Sequence, residues 1–154
     1  AAYAISESRL KEYSEKVLET VGEKKEKEVR NAIDKDRVNN NQPVDSEIIS
    51  TGQGDTLCMD AWNGRYFYSD IEVLRRAAVD LSRAVLNDET VTLNDFYDRI
   101  DLPQTKNGDF FAWEIGNHHE MIELSFSSQL DFKKRPVLVM DFKFAPTYYD
   151  REPW

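Results

Sequence analysis

Apolar residues in the first third of the chain fall at helical steps. Leu10, Tyr13, Val17, Leu18, Val21, Val29 and Ile33 are separated mostly by three or four positions, and residues 5–35 contain no proline and one glycine, Gly22. The pattern predicts a long amphipathic helix over residues 1–37. Its stripe thins at Glu23-Lys24-Lys25-Glu26-Lys27-Glu28, a wholly charged run. A solvated face is expected there, held by i,i+4 pairs such as Glu23 with Lys27, each worth a few tenths of a kcal/mol. Such a helix projects past the core as a stalk or docks on another chain, which makes Leu10, Tyr13 and Val17 candidate interaction residues. The heptads are too irregular for a sustained coiled coil.

Asp36 to Ser50 loses all periodicity and carries Asn39-Asn40-Asn41-Gln42-Pro43. Those side chains compete with the backbone for hydrogen bonds, so a mobile loop or hinge is expected. Gly52-Gln53-Gly54 reads as a turn into the next strand. Leu57 to Ala61 and Arg65 to Tyr68 flank Asn63-Gly64, the signature of a two-residue type I′ hairpin. That register places Ala61 opposite Tyr66 and Met59 opposite Tyr68, with Cys58, Asp60 and Phe67 on the other face.

A second helix is predicted from Ser69, where Ser69 and Glu72 match a capping box and Tyr68 and Val73 a hydrophobic staple. Ile71, Leu74, Ala78, Leu81 and Val85 make its inward stripe. A third repeats the device with Thr92 as cap, Asp95 at N3, and Leu102-Pro103 as the stop. Phe110 to Ile115 is β-prone. Ile122, Leu124 and Phe126 alternate with polar residues, as do Leu138, Met140, Phe142 and Phe144 with Val139, Asp141 and Lys143, giving two half-buried strands paired through a Ser128–Pro136 loop. The fold expected is α+β: a long N-terminal helix, then an antiparallel sheet of about four or five strands packed on one face by two further helices. Residues 1–37 form the helix and residues 38–154 the globular domain.

Charge narrows the partners. The net charge is −9, and residues 1–37 hold nine Lys/Arg against nine Asp/Glu, so the acidic excess lies in the globular part. No nucleic-acid partner is expected for it. Lys133-Lys134-Arg135 is too short to track a duplex and reads as a soluble hairpin loop. One cysteine, Cys58, leaves no internal disulfide and fits a reducing compartment; in strand sequence it reads as a small buried hydrophobe.

Candidate chemistry is sparse. His118-His119 are adjacent rather than four apart, so no metal site is expected of them, and no cofactor motif occurs. The best enzymatic arrangement is Asp60, Glu114 and Asp141, carboxylates set among apolar strand residues; facing one way, they would suit a metal-dependent hydrolase. The bland alternative puts them on a solvated sheet face beside Arg65 or Lys143. Tyr148, Tyr149 and Trp154 supply aromatic anchors for an interface, or pack over the domain's own sheet edge.

Ala1-Ala2-Tyr3-Ala4 with Lys11-Glu12-Tyr13, then Thr92-Leu93-Asn94-Asp95-Phe96-Tyr97-Asp98, Leu102-Pro103, Thr105, Gly108, Trp113 and Asp141-Phe142, resemble an uncharacterised family of phage and prophage proteins from Gram-positive bacteria. The resemblance covers nearly the whole chain and carries no catalytic residues. It implies hydrophobic, membrane-inserted segments and a basic cluster upstream of Ala1, which by the positive-inside rule place the domain on the cytoplasmic face of the host membrane, or else in the cytoplasm. This chain does not contain those segments, so any membrane contact runs through them. The resulting expectation is a non-enzymatic interaction module that binds a protein partner or self-associates; a metal-dependent hydrolase and a minor virion or assembly protein are the alternatives.

Overall fold

Helix caps and hairpin turns fix most elements locally, and two long-range strand pairings then decide the architecture. The computed structural model describes residues 2–115 and 121–149, and within the first helix the side chains of residues 9, 11–17, 19–20 and 22 onward. Helix α1 (Ala2–Asn40) is interrupted at Gly22, whose φ of 81° and ψ of 165° lie in a region open essentially to glycine alone. The expected single long helix is therefore two helical segments. Tyr13 and Ile33 line one cavity, although in a straight helix twenty residues would separate them by about 30 Å. The chain folds back on itself at Gly22.

Strands β1 (Ile49–Ser50), β2 (Thr56–Asp60) and β3 (Arg65–Ser69) come next, followed by α2 (Ile71–Leu86), β4 (Val91–Thr92) and α3 (Leu93–Arg99). Then β5 (Phe111–Trp113), β6 (Leu124–Leu130), β7 (Pro136–Phe142) and β8 (Thr147–Tyr148) complete the described chain. Five strands form one sheet in the order β1-β3-β2-β7-β6, and β4-β5-β8 form a second. The fold is α+β as expected, but the larger sheet is mixed: β1 runs parallel to β3 and β2 parallel to β7. Each hairpin is antiparallel within itself, and the intervening α2 and α3 provide the crossover that lets β7 lie parallel to β2.

The sheet is covered on both faces. Leu57, Met59, Tyr66, Val137 and Val139 are buried with Val38 of α1, so the second segment of α1 is a layer of the domain. Cys58, Phe67, Met140 and Phe142 pack on the other face against α2, α3 and the small sheet. A ring cluster holds this side together, with Phe142 edge-on to Phe96 at 5.2 Å and to Trp113 at 5.1 Å.

Local signals were realised unevenly. Thr92 and Asp95 form the expected reciprocal capping box. Helix α3 stops three residues before Leu102: Leu102 N–H donates to Tyr97 O at 2.9 Å and Asp101 N–H to Asp98 O at 3.2 Å, around a left-handed Asp101. Helix α2 is capped by Asp70, whose side chain accepts from Glu72 N–H, and not by Ser69. Ser69 is the buried last residue of β3, paired with Thr56, and so is committed to the ladder. The hairpin loop spans four residues, 61–64, because Asp60 accepts from both Gly64 N–H (2.7 Å) and Trp62 N–H (3.1 Å). Met59 thus pairs with Tyr66 rather than Tyr68. A two-residue shift keeps every side chain on its expected face.

The expected mobile segment after residue 36 is structured. Helix α1 continues to Asn40, a 3-10 turn covers Asp45–Glu47, and Asn41 ties both ways, donating to Gly64 O at 2.8 Å and accepting from Tyr66 OH at 2.7 Å. Gly54 turns the chain into β2 where a Cβ would sit 2.6 Å from Ser69 O.

Candidate functional site

Arg30, Asp34 and Arg37 recur at steps of four and three on α1, so they share one helical face. Ser125, Ser127 and Gln129 of β6 and Asp141 of β7 share one sheet face by strand alternation. The two polar faces meet. Ser127 Oγ donates to Asp34 Oδ2 at 2.6 Å, and Arg37 Nη1 bridges Asp34 Oδ1 at 3.1 Å and Asp141 Oδ2 at 2.6 Å. Gln129 Nε2 donates to Asn31 Oδ1 at 2.8 Å and to Asn31 O at 3.2 Å, and Arg30 pairs with Glu26 and reaches Lys143 O at 3.1 Å.

Burial pushes the Asp34 carboxyl above its ordinary range, and neighbouring Asp141 adds to the rise while Ser127 and Arg37 oppose it. Burial works against the Arg37 charge, but Asp141 and Asp34 outweigh it and hold the guanidinium charged. A single guanidinium between two carboxylates pairs with both, so each acid is tied to the same counter-charge across the α1–sheet boundary. The seam is built to join layers.

A groove opens on each flank of this seam. One, a cavity of about 170 Å³, is lined by Tyr13, Val17, Val29 and Ile33 above Arg37 and Asp141. The other, about 450 Å³, lies between Lys24, Lys27 and Asn31 of α1 and Ser125 to Ser128 of β6. It follows the outer edge of the sheet, where β6 pairs with β7 on one side and with no strand on the other among the described residues. The segment Leu-Ser-Phe-Ser-Ser-Gln-Leu contains no charge, proline or glycine. Edge strands are usually protected by such residues, by a bulge or by a covering element.

The candidate site residues are scattered. Tyr13, Val17 and Asp141 come together in the smaller cavity. Asp60 lies elsewhere: its pairing partner across β7 is Met140, so Asp141, one residue on, points to the opposite face of the sheet. Fully buried, Asp60 sits beside Arg65 (3.5 Å), whose guanidinium stacks 4.6 Å over the Tyr97 ring. Burial raises its carboxyl, opposed by Tyr97 and Arg65. Glu114 follows β5 and accepts from Thr90 Oγ1 at 3.2 Å. The three carboxylates do not face one way, and no group of three or more His, Cys, Asp or Glu suited to a metal occurs among the described residues.

Tyr148 belongs to β8 and packs edge-on to Phe111 at 6.2 Å while staying half exposed; Tyr149 N–H donates to Phe110 O at 2.6 Å. The Leu10 side chain, Trp154 and the His118-His119 pair lie outside the described residues. Cys58 is buried, its thiol pushed up to about 12 by burial. No helix among the described residues is long and apolar enough to cross a membrane.

Sequence reasoning missed Asp34, Arg37, Ser127 and Gln129. The available signal was the i, i+4, i+7 spacing of Arg30, Asp34 and Arg37 opposite polar alternation in β6, and both patterns read as solvated faces when taken separately. No curated protein and no solved structure matches the chain. One family model does, over residues 1–150, which include the seam, both grooves and the open edge: the chain belongs to a family of unknown function, DUF6353.

Proposed function

We propose that this protein is a non-enzymatic interaction module that captures a protein partner along the open edge of β6. The observation that carries this reading is an uncharged seven-residue edge strand bordered by a groove of about 450 Å³. Exposed backbone donors and acceptors along such an edge accept an added strand, a common mode of peptide recognition. The wider setting rests on the resemblance described above. The module is phage- or prophage-encoded in a Gram-positive host and is held at the cytoplasmic face of the membrane by segments upstream of Ala1.

The test uses the full-length protein expressed in its host. A membrane fraction containing the protein, and a partner retained by the wild type but released by Ser128→Lys, are expected. Ser128 is exposed on β6, so the added lysine charges the edge without entering the core. Recovery as a soluble monomer, or identical partners with and without the lysine, would contradict the proposal.

A further inference from the structure

We infer that the segment captured by β6 alternates acidic and apolar residues, the acidic ones facing α1. This rests on the reading of β6 as a docking edge and adds the chemistry of what docks. A strand added outside β6 lies about 4.8 Å further out, beneath the flank of α1 that overhangs the groove. Its side chains then point alternately toward α1 and toward α2.

The α1 side of the groove carries a positive excess, Lys24, Lys27 and Arg30 against Glu28 and Asp34. Lys24 and Lys27 are exposed, line the groove and form no ion pair among the described residues. The other charges nearby are engaged: Glu28 pairs with Lys25 at 3.5 Å, Arg30 with Glu26, and Asp34 with Arg37. Two uncommitted ammonium groups therefore overhang the edge of a chain whose net charge is −9. Carboxylates at alternate positions of the incoming strand complement them.

The α2 side presents apolar surface beside one arginine, Arg75. Phe126 and Leu124 of β6 are partly buried on this face, packed against the core, and Arg75 of α2 stacks 5.6 Å from the Phe126 ring. Further along α2, Ser82 Oγ accepts from Ile122 N–H at 2.9 Å while donating to Ala78 O at 2.7 Å. Val79, one turn beyond Arg75 and before Ser82, is 51% exposed on the stripe between these contacts. Apolar side chains at the intervening positions of the added strand cover Val79 and Phe126.

A second copy of this chain fits less well. Pairing β6 with itself offers Ser125, Ser127 and Gln129 to the lysines, with no carboxylate among them, and a two-fold axis brings a second Lys24 and Lys27 over the same edge.

The experiment measures binding of labelled nine-residue peptides to the whole chain by fluorescence anisotropy, with amide exchange of residues 124–130 as a second readout. The probes are an alternating Glu/Val peptide, its Lys/Val counterpart, and the Glu/Val peptide N-methylated at alternate residues. The Glu/Val peptide is expected to bind about tenfold more tightly than Lys/Val, as two partly exposed ion pairs would give. It should slow exchange in β6, weaken with salt, and lose binding on N-methylation. Lys24→Glu with Lys27→Glu, both on an exposed helix face, should reverse the preference. A Lys/Val peptide that binds equally well and is sensitive to N-methylation overturns the acidic partner but leaves the docking edge standing. A concentration-dependent dimer that protects β6 overturns it in favour of self-pairing. Binding indifferent to N-methylation, or no binding and no change in exchange, removes the docking edge as well.

Discussion

Asp131 shows how much a single carboxylate can organise. At the start of the β6–β7 turn it accepts from Lys133 N–H (2.9 Å) and Arg135 N–H (2.8 Å), and its other oxygen pairs with Arg135 Nε at 2.7 Å. Burial alone would raise its carboxyl, but the backbone, guanidinium and charge of Arg135 together hold it below the ordinary range. A depressed folded-state pKa stabilises the fold above the unfolded value of about 4, and the contribution is lost as pH falls through the folded value. Asp131→Asn is therefore expected to lose about 1 kcal/mol at pH 7. The gap from wild type should close below pH 4 in urea titrations; a gap that persists in acid would contradict this account. At this scale the sequence was legible where a side chain serves its own backbone, as at Thr92 and Asp95. It misled at Ser69, because the capping pattern there carries no information about whether β3 already needs the residue.

Gly22 decides the first element. In the sequence it sat inside a helical pattern that continued on both sides, and a lone glycine in a helix lowers stability without necessarily breaking it. Its observed backbone angles belong to glycine, so Gly22→Ala strains the reversal by roughly 1–3 kcal/mol. The variant is expected to relieve the strain by running helical through residue 22. Spin labels at positions 13 and 33 would read the change, with a short distance in the wild type and about 30 Å in the variant. An unchanged distance would show that the reversal is set by packing instead. Strand pairing was the other element-scale gap. All but the first residue of β2 is buried, so its sequence shows no alternation by which to choose a neighbour, and the parallel contact with β7 is not encoded in either strand alone. The β6–β7 hairpin was legible because its strands are adjacent in sequence and alternate, but the expected Ser128–Pro136 loop is only residues 131–135. Ser128 breaks the alternation of Leu124 and Phe126, yet Ser128, Gln129 and Leu130 pair with Leu138, Val137 and Pro136.

For the molecule as a whole, the decisive contact is the polar seam that makes α1 a layer and, with it, the overhang above β6. Arg37 is its centre, holding Asp34 and Asp141 on either side. Removing it by Arg37→Met leaves two neighbouring carboxylates, one of them buried, without a counter-charge; because Arg37 is partly exposed, the expected loss at neutral pH is about 2 kcal/mol, between that of an exposed and of a buried pair. The sign of the pH dependence follows. Asp34 already titrates above its ordinary range through burial, and without Arg37 the neighbouring Asp141 charge acts on it unopposed. The raised Asp34 carboxyl stabilises the fold below about 4, and that contribution disappears as pH rises through its folded value, so the variant should be nearest wild type at pH 4 and furthest at pH 7.5. Adding Asp34→Asn to Arg37→Met removes the repulsion while keeping an acceptor for Ser127, and should recover most of the neutral-pH loss. A deficit equal at both pH values, or no recovery in the double variant, would show that the seam acts through packing and not through charge. If the seam positions the cationic overhang, Arg37→Met also weakens the acidic peptide at pH 7.5 without altering any residue of β6, and the double variant restores it.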